Sequence, residues 1–306
     1  MTKKELMERQ SWSLHQKIDH SLGVIDQFCS RMDNKVFVAF SGGKDSTVLL
    51  DLCRVLNPNI KAVFCNTGNE YPDIVQFVRR LQATDGYNIE IIRPGILPKE
   101  VVKTYGFPLV SKELSRMIND LRYCPGGVKA KRARGEIECS WKSAKLPKKY
   151  EFLVNATFDT SHKCCYFLKK KPFRQYESRT GLHPILGTMA AESQQRTAAY
   201  IRRGGCNSFE RKIESLPLSI WTEQDIFDYI AERKLTIADI YSKGAKRTGC
   251  MFCGFGCQMP GDNRFTLLKT LYPKFYALFM EYENKGVKYR DALNMVLMAN
   301  NLEPLE

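Results

Sequence analysis

No stretch of about 18 apolar residues occurs in the 306-residue chain, so no membrane-spanning helix is expected. The opening residues Met1-Thr2-Lys3-Lys4-Glu5-Leu6 lack the apolar core of a secretory signal and read as an amphipathic helix. These absences predict a cytoplasmic protein with no membrane partner. No internal repeat or low-complexity tract is present, which sets aside repeat architectures. Acidic residues are scarce: 33 Asp and Glu stand against 47 Lys and Arg, a formal net charge of +14. Such an excess favours polyanions, whether nucleotides, nucleic acid or an acidic protein. It is uneven, with nine Lys or Arg between Arg122 and Lys149 and only Glu136 and Glu138 as acids there. Neither an aromatic-interleaved RNA motif nor zinc-finger spacing accompanies that stretch. It therefore permits nucleic acid, DNA or tRNA, as an acceptor, and equally permits a solvated basic loop.

What is present centres on Ser41-Gly42-Gly43-Lys44-Asp45-Ser46. The apolar run Val36-Phe37-Val38-Ala39-Phe40 before it reads as a buried strand, and Thr47-Val48-Leu49-Leu50-Asp51-Leu52 after it as a helix. A glycine pair at a strand-to-helix turn lets backbone N–H groups and the positive helix end approach an anion. Ser41 and Ser46 add hydroxyls and Lys44 a charge. The spacing is not that of a Walker loop, which needs G-x-x-x-x-G-K-[ST].

Helices are expected over 5–32, strands over 35–40, 60–65 and 88–92, and helices over 44–56 and 72–84. This βαβαβ order predicts a doubly wound parallel α/β sheet with ligands at the carboxyl ends of its strands. Residues 123–150, rich in Gly, Pro and Lys, read as a mobile loop or insertion. A helix over 162–178, a strand at 184–187, helices over 191–203 and 222–233, and closing helices over 267–284 and 288–300 complete the reading. The expected divisions are an N-terminal helical segment 1–34, a nucleotide-binding domain 35–240 with a basic insertion at about 122–150, and a Cys-rich, partly helical region 241–306. An oligomer is permitted.

The loop resembles the SGGxDS pyrophosphate loop of the adenine nucleotide alpha-hydrolase superfamily, whose members split ATP between its α- and β-phosphates. Asn66-Thr67-Gly68-Asn69-Glu70-Tyr71-Pro72 resembles the D-T-G-x-x-F-P motif of the phosphoadenosine phosphosulfate reductase family within it. Gly187-Thr188-Met189-Ala190-Ala191-Glu192-Ser193-Gln194-Gln195-Arg196 resembles G-x-R-x-x-E-S-x-x-R, and Pro217-Leu218-Ser219-Ile220-Trp221-Thr222-Glu223-Gln224-Asp225-Ile226 resembles P-L-x-x-W-T-x-x-D-[VI]. The resemblance implies nucleotide contacts from Ser41, Gly42, Gly43, Ser46, Asn66, Thr67, Gly68, Gly187 and Glu192. Met189 replaces the family arginine, so Arg196, Arg202 or Arg203 would supply that anion contact. A planar guanidinium suits it, and Arg196 is preferred. Glu192 and Arg196, four apart on one helix, also suit a plain surface ion pair.

Eleven cysteines in a reducing compartment argue for metal or catalytic use rather than disulfides. Cys164-Cys165 and Cys250-Met251-Phe252-Cys253 supply four thiolates in two pairs. That layout resembles the cluster-bearing adenylylsulfate reductases and the DNA phosphorothioation enzymes, and implies a 4Fe–4S cluster in preference to zinc. Cys257 is a fifth thiol available for sulfur handling. Sulfonucleotide reductases have a degraded phosphate loop and a C-terminal Glu-Cys-Gly-[Ile/Leu]-His. This sequence has the full loop, and no cysteine follows Cys257. The expected activity is adenylylation of an acceptor by ATP for sulfur transfer, with Lys44, Asp45, Arg196 and Cys257 as catalytic residues. Asp45 would position Mg²⁺, and a cysteine desulfurase would donate sulfur. The alternatives are a sulfonucleotide reductase and a non-catalytic nucleotide-binding subunit of a nucleic-acid-modifying complex.

Overall fold

The computed structural model describes residues 2–138, 145–210 and 212–305. Its strands, in chain order, are β1 Val36–Phe40, β2 Lys61–Cys65, β3 Asn88–Ile92, β4 Leu109–Val110, β5 His183–Ile185, β6 Asn207–Ser208, β7 Glu214–Ser215, β8 Gly254–Phe255, β9 Glu283–Asn284 and β10 Val287–Lys288. The chain divides into two compact units. The first comprises Met1–Asn66, Tyr71–Arg93 and Phe173–Thr248, and the second Thr67–Glu70, Pro94–Pro172 and Gly249–Glu306. This division departs from the expected boundaries. The N-terminal helices belong to the sheet-bearing unit, and 94–172 belongs with the Cys-rich region rather than with the nucleotide-binding domain.

The first unit is an α/β sheet in the order β3-β2-β1-β5-β7-β6, parallel throughout except for β6 against β7. Both neighbours of β1 run parallel to it, with Val38 opposite Ala62 on one side and Ile185 on the other. The chain order thus reverses at β1, and the crevice that binds ligands in such sheets lies beyond its carboxyl end. There the loop Ser41–Gly43 opens the helix Lys44–Leu56. Phe37, Val38, Val48, Leu49, Leu52, Ala62 and Val63 are fully buried between sheet and helices. They come from near-continuous apolar runs, as a sheet covered on both faces requires.

The N-terminal helices are Lys3–Gln10 and Leu14–Arg31, each opened by a capping box. On the second, Lys17 is buried and pairs with Asp225 at 2.7 and 2.8 Å. Ser21 Oγ accepts from Trp221 Nε1 at 2.9 Å. The P-L-x-x-W-T-x-x-D motif is therefore structural here: it pins the helix Glu223–Arg233 to the N-terminal helix.

The second unit is mainly helical. Part of the stretch expected to be a mobile loop is ordered as a helix, Val128–Arg134, which buries Ala130 and Ala133 and ends at Gly135 in the left-handed conformation. Residues 139–144 of the basic stretch lie outside the described residues. The single closing helix expected over 267–284 is two, Arg264–Leu271 and Pro273–Met280. Pro273 lacks the N–H that would continue the first and starts the second. β9 and β10 form a hairpin across Lys285-Gly286, both at positive φ. β4 pairs in parallel with β8 and aligns Leu109 with Gly254, next to Cys253. No helix of the described residues is long and apolar enough to cross a membrane.

Candidate functional site

In the first unit the loop is locked by its own hydroxyls. Ser46 Oγ accepts from the Ser41 N–H at 3.2 Å and donates to Gly43 O at 2.9 Å, and lies 3.0 Å from Ser41 Oγ. Gly42 has φ +72°, and a Cβ there would lie 2.8 Å from Ile74 Cγ2 and 2.9 Å from Val78 Cγ2. At Gly43 a Cβ would meet Thr248 Oγ1 at 2.7 Å. Gly187 packs against the same turn, since a Cβ on it would sit 3.2 Å from Asp45 O. Both glycines of the pair are thus demanded by close packing.

Lys44 is buried, with its Nζ 2.8 Å from Asp45 Oδ1 and 3.2 Å from Glu223 Oε1. Burial works against its charge, but the two carboxylates outweigh it and raise its pKa. The Lys44 N–H, at the helix start, donates to Tyr241 Oη at 2.8 Å, and Tyr241 Oη lies 3.1 Å from Thr248 Oγ1. Glu223, Tyr241 and Thr248 escaped the sequence reading. Glu223 stands at an unassigned position of the P-L-x-x-W-T-x-x-D stretch, and no motif includes Tyr241 or Thr248.

Glu192 and Arg196 form an ion pair, but not on one helix as expected: Glu192 ends a 3₁₀ turn, Ala190–Glu192, and Arg196 lies in the helix Gln194–Arg203 that Ser193 caps; Arg247 joins the pair at 3.5 Å. No hydrogen bond or ion pair links Arg196 to Ser41–Ser46 among the described residues. Met189 is buried, and its N–H donates to Glu192 Oε1 at 3.2 Å. In the next loop the Asn66 N–H donates to Ile92 O at 2.9 Å, extending the β2–β3 ladder.

In the second unit, the Thr67–Glu70 turn and the cysteines come together. Thr67 donates through N and Oγ1 to the Glu70 carboxylate at 2.8 Å each, and Gly68 follows at φ +79°. The Met251 N–H donates to Asn69 O at 2.8 Å, tying this turn to the Cys250–Cys253 loop. Arg264 Nη1 donates to Cys253 O at 2.7 Å and Phe255 O at 2.9 Å, and Tyr289 Oη donates to Phe252 O at 2.6 Å. The loop's carbonyls are therefore fixed from both ends. Cys164 packs with Val101 and Leu168 in one apolar cluster, and a π-helical turn, Tyr166–Lys170, follows the cysteine pair.

The four thiols feel one another. Cys165 is drawn below the usual thiol range, first by the Cys164 S–H donated to it and then by the Lys112 and Lys169 ammoniums, and Cys164 is raised in turn. Burial pushes Cys250 up to about 12 and raises Cys253, and both lie within electrostatic reach of Cys165. Lys169 is raised by Cys250 and lies 3.7 Å from Glu70 Oε1. The ten described cysteines are free thiols. Among the described residues, no group of three or more His, Cys, Asp or Glu side chains is arranged to hold a metal ion. The donor set nevertheless suits a larger sulfur-ligated group: four thiols, one buried and three half-buried, lie within electrostatic reach of one another beside two ammoniums. Asn69 is fully buried there, with neither side-chain polar atom partnered. Such an amide calls for a missing partner. Cys257 belongs to this unit too, but it is buried and its thiol is pushed up to about 12 by burial. The reactive thiolate that sulfur handling needs is disfavoured there.

A sequence profile described as the phosphoadenosine phosphosulfate reductase domain matches residues 35–125 and 127–254. The chain belongs to that family. An uncharacterized protein of Methanocaldococcus jannaschii is 26% identical, with 90% of this chain aligned to 46% of that protein. The chain spans about half the length of two such archaeal relatives. An adenosine 5'-phosphosulfate reductase of Geobacillus is 20% identical over 85% of this chain and 90% of its own. Among solved structures, the U34-tRNA thiolase of Methanococcus maripaludis with its [4Fe-4S] cluster aligns at a TM-score of 0.40 and 13% identity, covering 86% of this chain and 80% of its own. The named sequence relatives are adenosine 5'-phosphosulfate reductases.

Proposed function

We propose that this protein is an ATP pyrophosphatase-type enzyme that adenylylates an acceptor for sulfur transfer, the acceptor being nucleic acid. One observation carries the reading: the complete phosphate loop, with Ser46 bridging Ser41 and Gly43 and no room for a side chain at Gly42 or Gly43. A sulfonucleotide releases no pyrophosphate and needs no such cradle.

In this reading an acceptor oxygen attacks the α-phosphorus of ATP in line. The bond from that phosphorus to the α–β bridging oxygen breaks, and pyrophosphate leaves into the loop. Ser41, Ser46 and the N–H groups of Gly42 and Gly43 hold its oxygens. The Lys44 ammonium, kept charged by Asp45 and Glu223, takes up its negative charge. Mg²⁺ bound through Asp45 would add to that neutralisation. Tyr241 Oη, now on the Lys44 N–H, must yield that donor if a phosphate oxygen takes it. The outer sulfur of a persulfide, with a cysteine desulfurase as donor, then attacks the activated atom of the acceptor and AMP leaves with the oxygen; a second thiol attacks the resulting S–S bond, releases the thiolated acceptor and ends in a disulfide, which an external thiol reductant returns to the dithiol. Cys164, Cys165, Cys250 and Cys253 would hold a 4Fe–4S cluster, which would supply a docking point for sulfur when bound.

The similarity to adenosine 5'-phosphosulfate reductases over 85% of the chain supports a second reading, sulfonucleotide reduction. Product analysis separates the two. Incubated with ATP and Mg²⁺, the protein should release AMP and pyrophosphate, and Lys44→Ala or Asp45→Ala should slow this about 10²-fold or more. Release of ADP and phosphate would refute the loop assignment. Sulfite release from a sulfonucleotide without pyrophosphate release from ATP would select the reductase.

A further inference from the structure

Within the second unit, one residue along the chain from Cys164, lies a cavity of about 410 Å³ that the proposed chemistry does not use. One wall is the helix Lys112–Tyr123. Residues three or four apart share a helix face, so Lys112, Arg116, Asn119 with Asp120, and Tyr123 follow one another along it. The Lys112 ammonium lies against the Cys165 thiol. The next turn, about 5 Å on, already lines the cavity. Across from it stand Tyr105 and Lys163, and Lys163 immediately precedes Cys164.

The lining has a definite chemistry. Arg116 and Lys163 are exposed cations with no carboxylate partner among the described residues. Asp159, also on the wall, is already engaged by Lys285 at 2.9 Å and Arg122 at 3.3 Å. The Tyr105 ring is fixed by stacking on Phe167, centroids 4.6 Å apart. Both amide hydrogens of Asn119 are committed, to Ser115 O and Thr160 O, which leaves its Oδ1 as an acceptor beside the Asp120 carboxylate. His162 Nδ1 is buried without a partner. The Arg116 guanidinium, the Tyr123 ring and a pair of acceptors match the phosphate, the flat base and the N–H edge of a nucleotide, with the Lys163 ammonium, 4.9 Å from the Tyr105 ring centre, as a second cation on the wall. The volume lies within the range of small-ligand sites. A base unstacked from its strand is read in this way, by stacking and by hydrogen bonds to its edge. The basic helix Val128–Arg134 begins five residues after Tyr123, so phosphate-binding charge continues from the cavity along the chain.

We propose that this cavity receives one unstacked nucleotide of the nucleic-acid acceptor and places it beside the Cys164–Cys165 pair. The proposal rests on the reading that the acceptor is nucleic acid, and the test keeps the two apart. Anaerobically purified full-length protein, its phosphate loop filled with α,β-methylene ATP, is titrated into short fluorescein-labelled single-stranded DNA and RNA, and binding is read as anisotropy. Guanosine and uridine 5′-monophosphates are then added as competitors. Arg116→Ala and Lys163→Ala should each weaken oligonucleotide binding roughly tenfold, as loss of a charge-assisted phosphate contact does. A mononucleotide should displace the oligonucleotide from the parent protein but not from Arg116→Ala. Pyrophosphate release from ATP without acceptor should be unchanged in both variants. Lys163 is exposed, so its variant keeps the test valid should Arg116→Ala fold poorly. Unaltered affinity in both variants, or no competition by mononucleotides, overturns the pocket while leaving the ATP chemistry standing. Pocket-dependent binding without any pyrophosphate release would instead keep the pocket and refute the adenylylation reading.

Discussion

Replacing Gly42 with alanine tests the loop at its tightest point. Two penalties can be worked out separately. The residue sits at φ +72°, and a non-glycine residue held in the left-handed region costs about 1–3 kcal/mol. The added Cβ would also lie 2.8 and 2.9 Å from Cγ2 of Ile74 and Val78, both buried and β-branched on the helix Pro72–Gln82, so neither can swing aside. Overpacking of this kind costs about 1–3 kcal/mol. Together Gly42→Ala should destabilise by about 2–6 kcal/mol in urea unfolding. It should also cut pyrophosphate release about 10²-fold, because displacing a positioning loop by about 1 Å has that effect. Val78→Ala removes one of the two clashing methyls. The double variant should therefore be more stable than the sum of the single effects by about 1 kcal/mol or more, a coupling expected of touching residues. Activity should return only in part, since the backbone strain remains. A Gly42→Ala protein within about 0.5 kcal/mol of the parent and fully active would refute the argument, and strict additivity with Val78→Ala would remove its steric half.

Anaerobically purified protein should be brown with about four irons per chain, and Cys164→Ser or Cys253→Ser should remove the colour; stoichiometric zinc in a colourless protein would refute the cluster. Lys129, Lys131 and Arg132 changed together to Ala should weaken nucleic-acid binding and flatten its log–log salt dependence by about 2–3, one phosphate contact per residue; an unchanged slope would return that helix to a solvated surface. Burial raises the pKa of Asp159, but its bonds to Tyr123 and Lys285 and the charge of Arg122 outweigh this and hold it below the usual carboxylate range. Its contribution to stability is therefore complete above the unfolded carboxylate pKa and is lost as pH falls through the lower folded one. The stability gap between parent and Asp159→Asn should stay constant from about pH 8 to pH 5 and close below about pH 4; a gap that widens in acid would contradict the assigned direction.

How much of this was legible in the sequence follows from where the information lies. β1, its loop and the helix after it are written in consecutive residues, an apolar run broken by two glycines, and they form where expected. The second unit is written non-locally. Leu109–Val110 finds its partner in Gly254–Phe255, and no local pattern announces a two-residue parallel pair. The helix Val128–Arg134 hid behind its charge, because only Ala130 and Ala133 face inward and alanine carries little hydrophobic signal. The cysteine pairs were legible as a set. The groups around them were not: Lys112, the Asn69-Glu70 turn and Arg264 come from three separate segments, and only folding brings them to the thiols.

The family motifs divide by physical role, which explains why they identify a family more readily than a reaction. Trp221 is fully buried and donates to Ser21, and Asp225 accepts from Thr222 and from Lys17 at 2.6 to 2.8 Å. Removing either partner of the buried Lys17–Asp225 pair would strand a charge, a loss of about 3–5 kcal/mol. What these residues secure is the helix Glu223–Arg233. That helix reaches back to the helix Lys44–Leu56 twice: through Glu223 to Lys44, and through Tyr229 and Arg233 to Asp51 at 2.8 and 3.1 Å. The motif therefore braces the helix that the Ser41–Gly43 loop opens. Any member that binds a phosphorylated nucleotide needs that bracing, whatever it does with the nucleotide. In the proposed reading, the choice of reaction falls to residues the motif does not include: the hydroxyls and charge of Ser41–Ser46 on one unit, and the cysteines with their neighbouring cations on the other.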